Sequence, residues 1–114
     1  SGAYITPHKH IGKSESFHII EGVLLVVIFD EKGGIIEQIR MGDSDSGLTF
    51  YYRLPANHFH TVVPQSELVV FHEVTNGPFR REDTIFGEWA PGEGEVEAVK
   101  SFIISLKQFT PDSN

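Results

Sequence analysis

The sequence predicts an all-β domain, a closed barrel or a sandwich, that ends in one α-helix. Up to about residue 75, short runs rich in β-branched and aromatic residues alternate with turn signals, a pattern typical of strands. Residues 75–94 are irregular and contain four glycines and two prolines, whereas residues 95–109 place apolar side chains at helical spacing. The length of 114 residues fits one domain, 1–114, with its barrel at about 3–75.

Seven strands follow from these runs. They are predicted at 3–6, 15–20, 23–29, 35–41, 48–54, 58–63 and 68–74. Residues 7–14 are predicted as a polar loop around Gly12. Glu21-Gly22 predicts a tight hairpin connection, and 64–67 predicts a hairpin loop between the last two strands. Seven short strands within about 75 residues indicate a sandwich or a closed barrel.

The helix predicted at 95–109 has one apolar face. That face consists of Val96, Val99, Phe102, Ile103 and Leu106. Acidic residues lie near its start and Lys100 and Lys107 lie later, an order that suits the helix dipole. We expect the helix to pack on the outside of the barrel. Trp89 is expected either to cap the barrel mouth or to anchor the tail to the core.

Composition excludes several classes of function. Nine basic residues against 16 acidic ones give a net charge of −7, which argues against nucleic acid or an anionic membrane as partner. The absence of cysteine excludes disulfides, thiolate metal sites and cysteine nucleophiles. The longest apolar run, 23–29, is far shorter than the roughly 20 residues of a membrane span, so we expect a soluble, cytoplasmic protein. The start Ser1-Gly2, without Met, is expected of a processed or truncated chain.

The spacing of the histidines predicts a metal site. His8 and His10 face the same side if the chain is extended, and the loop around Gly12 would swing Glu15 back onto that side. His60 would join them from a distant strand. Imidazole suits Zn, Cu, Fe and Ni, and a carboxylate admits Mn. On spacing alone, however, a His-x-His pair is more often a surface feature than a metal site.

The pattern H8-K-H10-x4-E15-x6-G22, followed by P55-x-N57-x-x-H60, resembles the two motifs of the cupin superfamily. The resemblance implies a cupin barrel, also called a double-stranded β-helix or jelly roll, with one divalent metal ion (Zn, Fe, Mn or Ni). It implies His8, His10, Glu15 and His60 as the metal ligands. Asn57 stands where the motif has Gly, and Asn tolerates the left-handed backbone that this turn needs.

A closer resemblance extends along nearly the whole chain. The stretches that carry it are 4–10 (YITPHKH), 15–17 (ESF), 29–30 (FD), 55–63 (PANHFHTVV), 73–79 (EVTNGPF) and 89–94 (WAPGEG). They are similar to the WbuC-like family of cupin metalloproteins, whose genes accompany those for bacterial O-antigen and other surface polysaccharides. Family members usually carry an extra N-terminal segment that this sequence lacks. The resemblance implies a fold and a metal but no particular reaction.

Further site residues follow from strand parity. If Glu15 points inward, Phe17 and Ile19 do too and His18 points outward. The predicted hairpin across 64–67 would pair His60 with Phe71 and His58 with Glu73, placing Phe71 and Glu73 inside and His72 outside. Glu73 is then the candidate catalytic acid or base, the alternative being a solvent-facing side chain. The predicted substrate pocket is formed by Phe17, Ile19, Tyr52, His58 and Phe71.

Three hypotheses about function remain open on the sequence. The first is a metal-dependent enzyme, an isomerase, epimerase or oxygenase, acting on a sugar or sugar nucleotide of surface polysaccharide synthesis. The second is a binding or sensing module that uses the metal to hold a small ligand. The third, a purely structural metal, is weaker because structural sites are usually closed and tetrahedral. The expected partner is a small molecule, and a homodimer is expected only by analogy with other small cupins.

Overall fold

The computed structural model describes residues 4–54, 56–75 and 84–108. This part of the chain forms eight strands and one helix. In chain order they are β1 (His8–His10), β2 (Glu15–Glu21), β3 (Val23–Phe29), β4 (Ile35–Gly42), β5 (Tyr51–Leu54), β6 (Phe59–Pro64), β7 (Val70–Thr75), β8 (Thr84–Phe86) and α1 (Val96–Gln108). Within the described residues no helix has the length and apolar character of a membrane span.

The strands form two antiparallel sheets. The larger sheet has the order β4-β3-β6-β1-β8, and the smaller has the order β5-β2-β7. Their facing sides enclose the main core, whose inward side chains come chiefly from β2 and β3. The predicted class, an all-β barrel with a C-terminal helix, is therefore confirmed.

Strand β3 is buried on both faces, which explains its uninterrupted apolar sequence. Leu24, Val26 and Ile28 point between the sheets into the main core. Leu25 and Val27 point the other way, into a second apolar cluster beneath the helix. A strand with only one buried face would alternate between apolar and polar residues.

The second cluster fixes the C-terminal helix on the outer face of the larger sheet. Phe29, Phe59 and Leu106 form its centre, and Trp89 and Phe102 pack against it. The Trp89 and Phe29 rings lie 4.8 Å apart. Of the two roles predicted for Trp89, the structure shows the anchor, and the helix lies outside the barrel as expected.

Two strand predictions near the ends of the barrel are wrong. Residues 4–6 form no strand (Ala3 lies outside the described residues), and the first strand is instead His8–His10, inside the predicted loop. Strand β8 lies within the segment predicted as irregular. Both strands have three residues, and they pair with each other, while β1 also pairs with β6. Tertiary pairing overrides the local preference of a Pro- and Gly-containing segment.

Both predicted hairpins are also wrong. Strands β2 and β3 lie in different sheets, as do β6 and β7, so neither connection closes a hairpin. Phe71 lies opposite Ile19 and Glu73 opposite Phe17, on β2, not opposite His60 and His58. The connection after β6 leads from the larger sheet to the smaller one. At its start, Gln65 N donates a hydrogen bond to the Val23 carbonyl at the beginning of β3.

Gly22, where the chain crosses from one sheet to the other, admits no side chain. Its φ is 92°, and a Cβ atom there would lie 2.1 Å from the Leu68 carbonyl oxygen. We expect Gly22→Ala to lower the free energy of unfolding by about 2–5 kcal/mol, since left-handed strain and overpacking add. Urea denaturation followed by circular dichroism measures the change.

Gly47→Ala is the matched control for Gly22→Ala. Gly47 also has a positive φ, 82°, but a Cβ atom there would meet nothing within 4 Å. The Gly47→Ala variant should lose only about 1–2 kcal/mol of its free energy of unfolding, because backbone strain is then the only cost. Equal losses in the two variants would show that the crossing does not require the close approach to Leu68.

Candidate metal centre

The two sheets bring the predicted ligands together from three strands. His8 and His10 lie on β1, and His8 pairs directly with His60 on β6. Glu15 begins β2 in the opposite sheet, where it is 2% exposed, and His60 is 3% exposed. Two separate segments of the larger sheet therefore face one carboxylate of the smaller sheet.

Two left-handed residues make this crossing possible. Gly12 has a φ of 71° and reverses the chain between β1 and β2. Asn57, at the glycine position of the second motif, has a φ of 66°, which confirms that asparagine adopts the left-handed turn. The Asn57 Oδ1 atom accepts a 2.8 Å hydrogen bond from Gly12 N, so the two motifs are tied to each other (Pro55 lies outside the described residues).

The ligand atoms converge on the Glu15 carboxylate. His8, Glu15 and His60 each offer one ligand atom, and these three atoms lie within 4.8 Å of one another. His60 Nε2 is 2.9 Å from Glu15 Oε2, and His10 Nε2 is 2.7 Å from Glu15 Oε1. His8, Glu15 and His60 thus form the compact group, and His10 contacts the same carboxylate through its other oxygen.

The hydrogen bonds of two imidazoles hold their Nε2 atoms toward the cluster. His8 Nδ1 lies 2.9 Å from the Thr6 carbonyl oxygen, and His60 Nδ1 lies 3.0 Å from that of His58. Because a carbonyl oxygen only accepts, each Nδ1 carries a proton and donates it. Histidines that bind metals are held in this way, with one ring nitrogen donating to a carbonyl and the other facing the ion.

The charges and donor atoms of the centre suit a cation. Glu15 Oε1 is buried and accepts no hydrogen bond, although His10 Nε2 lies so near. Burial lowers the pKa of His8, which keeps this ring neutral. Burial tends to raise the pKa of Glu15, but the hydrogen bond to His60 and the nearby imidazoles outweigh it, so this pKa falls and the carboxylate is ionised. Lone pairs and a carboxylate in one buried cluster fit a divalent cation.

A small cavity of about 20 Å³ lies beside this centre. His8, His60, Phe17 and Glu73 are among its walls. Its volume holds about one water molecule, which needs roughly 10–15 Å³. The interior next to the ligands is therefore nearly filled, and a larger ligand has to approach from outside.

The other predicted pocket residues do not line this cavity. Ile19 belongs to the buried main core, and Tyr52 and Phe71 pack against that core. His58 is half-buried, and its Nδ1 lies 2.9 Å from the Ala56 carbonyl oxygen. The apolar pocket expected from the sequence is thus largely packed with side chains.

Glu73 faces the centre, although it does so through pairing with β2. Its partner Phe17 points inward, and cross-strand partners share a face. The residue as a whole is exposed at the rim, but burial raises the pKa of its carboxyl group, and the neighbouring Glu15 charge raises it further. His18 and His72 pair with each other on the outer face, with rings 6.5 Å apart.

A second, open groove of about 220 Å³ was missed by the sequence reasoning. It lies beside His8 and His10 and is bounded by the segment before β1, by Thr84 and Phe86, and by Glu93. Thr84 Oγ1 lies 3.0 Å from His10 Nδ1. The β-branched and aromatic residues at 84–86 favour a strand, but three residues among glycines and prolines are too few to predict one.

Comparison with solved structures identifies the fold. The chain is similar to the capsular polysaccharide assembling protein CapF from Staphylococcus aureus, with 20% identity, a TM-score of 0.58, and coverage of 75% of this chain and 23% of that chain. A structure of CapF with the inhibitor 3-isopropenyl-tropolone is 22% identical, with a TM-score of 0.59, and the match covers 75% of this chain and 25% of that chain. A mutant of Bacillus subtilis oxalate decarboxylase OxdC is 25% identical, with a TM-score of 0.59, and the match covers 87% of this chain and 25% of that chain.

These matches define a class of protein without defining its function. The matched structures have cupin folds, and the fold of this chain is that of a cupin. The chain spans about a quarter of the length of the solved proteins that it matches. A family model described as a domain of unknown function (DUF6016) matches residues 1–41. A search of curated proteins finds no match.

The metal ligands are tested by single substitutions. His8→Ala, His10→Ala and His60→Ala should each lose nearly all bound metal under EDTA challenge, because a ligand nitrogen is removed. His18→Ala and His72→Ala, which alter an outward-facing pair on the other sheet, are the matched controls and should retain it. Elemental analysis of the dialysed proteins measures the metal.

Two further variants test the carboxylate ligand and a histidine beside the site. Glu15→Gln should weaken binding yet keep some metal, since the amide oxygen still coordinates while the charge is lost. His58→Ala should keep most of the metal, because His58 contacts His60 through its main-chain carbonyl, which the substitution leaves in place. The assignment would be wrong if His18→Ala or His72→Ala lost the metal while His60→Ala kept it.

Metal affinity should depend steeply on pH. Imidazole binds metal only when neutral, and its ordinary pKa is about 6.5, so zinc affinity should fall below roughly pH 6. The pKa values of His8 and Glu15 are both lowered. Each of these two ligands therefore takes up a proton only at a lower pH than an exposed side chain of the same type. Zinc titration calorimetry between about pH 7.5 and 5 measures the effect. A flat affinity over that range would remove histidine from the site.

Proposed function

We propose that this protein is a metal-dependent enzyme that acts on a small polar substrate, a sugar or sugar nucleotide of bacterial surface polysaccharide synthesis. The observation that carries the proposal is the convergence of the His8, His10 and His60 imidazoles on the buried Glu15 carboxylate, beside an open groove lined by His8 and His10. The substrate class is supported by the resemblance to WbuC-like cupins. It is also supported by the similarity to CapF, described as a capsular polysaccharide assembling protein.

His8, Glu15 and His60 would hold the metal, with His10 completing the set. A divalent ion bound there supplies a Lewis acid that polarises a substrate oxygen. Three imidazoles and one carboxylate would supply the nitrogen and oxygen donors of such a site. Zinc, iron, manganese and nickel all accept such ligands.

Glu73 is the residue proposed to move a proton. Isomerisation or epimerisation of a sugar removes a proton from carbon and returns one, which requires a base within reach of that C–H group. Glu73 shares the small cavity with His8 and His60, and burial and Glu15 raise the pKa of its carboxyl group. A raised pKa makes a carboxylate a stronger base near neutral pH.

Glu73→Gln separates catalysis from metal binding. The variant should keep the metal but lose roughly 10²–10⁴-fold in turnover, the usual contribution of a general base. The assay incubates zinc-, iron- or manganese-loaded protein with a panel of nucleotide sugars in D₂O and follows deuterium incorporation at carbon by NMR. Glu67→Gln, an exposed glutamate between β6 and β7, is the control and should behave as wild type.

Full turnover by Glu73→Gln would exclude Glu73 as the base. Failure of the wild-type, metal-loaded protein to turn over any nucleotide sugar would remove the enzyme proposal for this substrate class. The homodimer and the cytoplasmic location expected from the sequence stay predictions.

The second candidate function is a non-catalytic module that binds or senses a small molecule through the metal. The nearly filled interior favours it, because the cavity of about 20 Å³ beside the ligands accommodates no substrate group larger than a water molecule. Ligand binding that requires the metal but produces neither turnover nor deuterium incorporation would favour this function over the enzyme.

A further inference from the structure

The open groove beside the metal centre presents one aromatic ring. Strand β8 pairs with β1 so that Phe86 lies opposite His8 and Thr84 lies opposite His10. Cross-strand partners share a face, so Thr84 and Phe86 lie on the side of the two histidines. Ile85, between them, points to the opposite face with Lys9.

Phe86 is unusually exposed for a side chain on this face. Its exposed fraction is 59%, and its ring centroid lies 6.1 Å from that of His8. Other apolar side chains are exposed elsewhere on the surface, so exposure by itself carries little information. What distinguishes Phe86 is its position, because its free ring face borders the groove that leads to the proposed metal ligands.

The polar groups of the groove favour an uncharged ligand that donates hydrogen bonds. Glu93 provides a carboxylate, which accepts only. The described residues that line the groove include no lysine or arginine. For an anionic group, no lysine or arginine among the described lining residues would offset the Glu93 charge, whereas a hydroxyl group would find an acceptor. A metal ion held by the histidines would itself attract anions, so this comparison concerns the groove without the ion.

The size of the groove limits what it holds. Its volume of about 220 Å³ lies below the roughly 300 Å³ at which pockets for drug-sized ligands begin. One six-membered ring with its hydroxyl groups fits this space. An aromatic wall, a hydroxyl acceptor and room for one ring together describe a single chemical class of ligand.

We propose that this groove is a subsite for one uncharged sugar ring, stacked with its C–H face on Phe86 and hydrogen-bonded through its hydroxyls to Glu93. A pyranose has an apolar face of C–H groups with a small positive charge, and an aromatic ring presents a negative face to such groups. The inference rests on the proposed function, which it deepens by naming the neutral ring of the substrate as the part held beside the histidines.

Binding of simple glycosides tests the subsite. Methyl glycosides of glucose, galactose and N-acetylglucosamine are titrated into the protein with and without zinc, and affinities are measured by NMR chemical shifts. Glucuronate and inorganic phosphate are the anionic probes, and they are compared with the glycosides in the zinc-free protein, because zinc itself attracts anions. We expect at least one neutral glycoside to bind more tightly than both anions. Saturation-transfer NMR should show contact between that sugar and the aromatic protons of Phe86.

Three substitutions locate the effect on the ring. Phe86→Leu, which keeps an apolar side chain but removes the aromatic face, should weaken glycoside binding about five- to tenfold, as expected for an aromatic contact. Phe86→Tyr should restore it. Ile85→Ala, on the opposite face of the same strand, should bind as wild type. All three should retain zinc, which elemental analysis verifies, because none removes a proposed ligand.

The outcomes separate this inference from the proposed function. Unchanged glycoside binding in Phe86→Leu, stronger binding of glucuronate or phosphate than of any glycoside by the zinc-free protein, or no glycoside binding by the zinc-loaded wild type would each overturn the subsite. Glycoside binding that depends on Phe86, in a protein without turnover, would support the subsite and count against the enzyme. Turnover of a nucleotide sugar that is unaffected by Phe86→Leu would support the enzyme and overturn the subsite.

Discussion

Burial of the ionised Glu15 carboxylate is the constraint on which the site depends. A charge that is almost fully removed from water is tolerated only when it is paired or bound to a metal. The imidazoles supply the neighbouring nitrogen atoms, and the carbonyls of Thr6 and His58 fix the direction of two rings. The turns at Gly12 and Asn57 then hold the carboxylate and the rings in position from opposite sheets.

The sequence predicted the composition of the site better than the strand pairing that builds it. Motif spacing identified three histidines and the carboxylate around which they lie, because these spacings reflect strand parity and two tight turns. Glu73 and Phe71 were predicted to face inward through a hairpin with β6, yet they do so by pairing with β2. The predicted inward direction is correct because side chains alternate between the two faces of a strand, whichever strand it pairs with. The pairing partner, by contrast, depends on which sheet the strand joins.

The features that were not predicted depend on contacts between distant segments. Strands β1 and β8 have three residues each, too few for a propensity signal, and exist because they pair with each other. The position of Phe86 beside His8 therefore had no basis in local sequence. The apolar run of β3, by contrast, predicted a strand correctly, but its length does not reveal that one face packs on the smaller sheet and the other on the helix.

The position of the single tryptophan has a consequence for spectroscopy. Trp89 packs against Phe29 and Phe59 on the outer face of the larger sheet, while His60, the next residue on β6, points to the inner face. The sheet thus separates the only indole of the chain from the histidine cluster. Its intrinsic fluorescence reports on the docking of the C-terminal helix, and loss of that signal at an unchanged metal content would identify a state in which the helix has detached while the barrel remains folded.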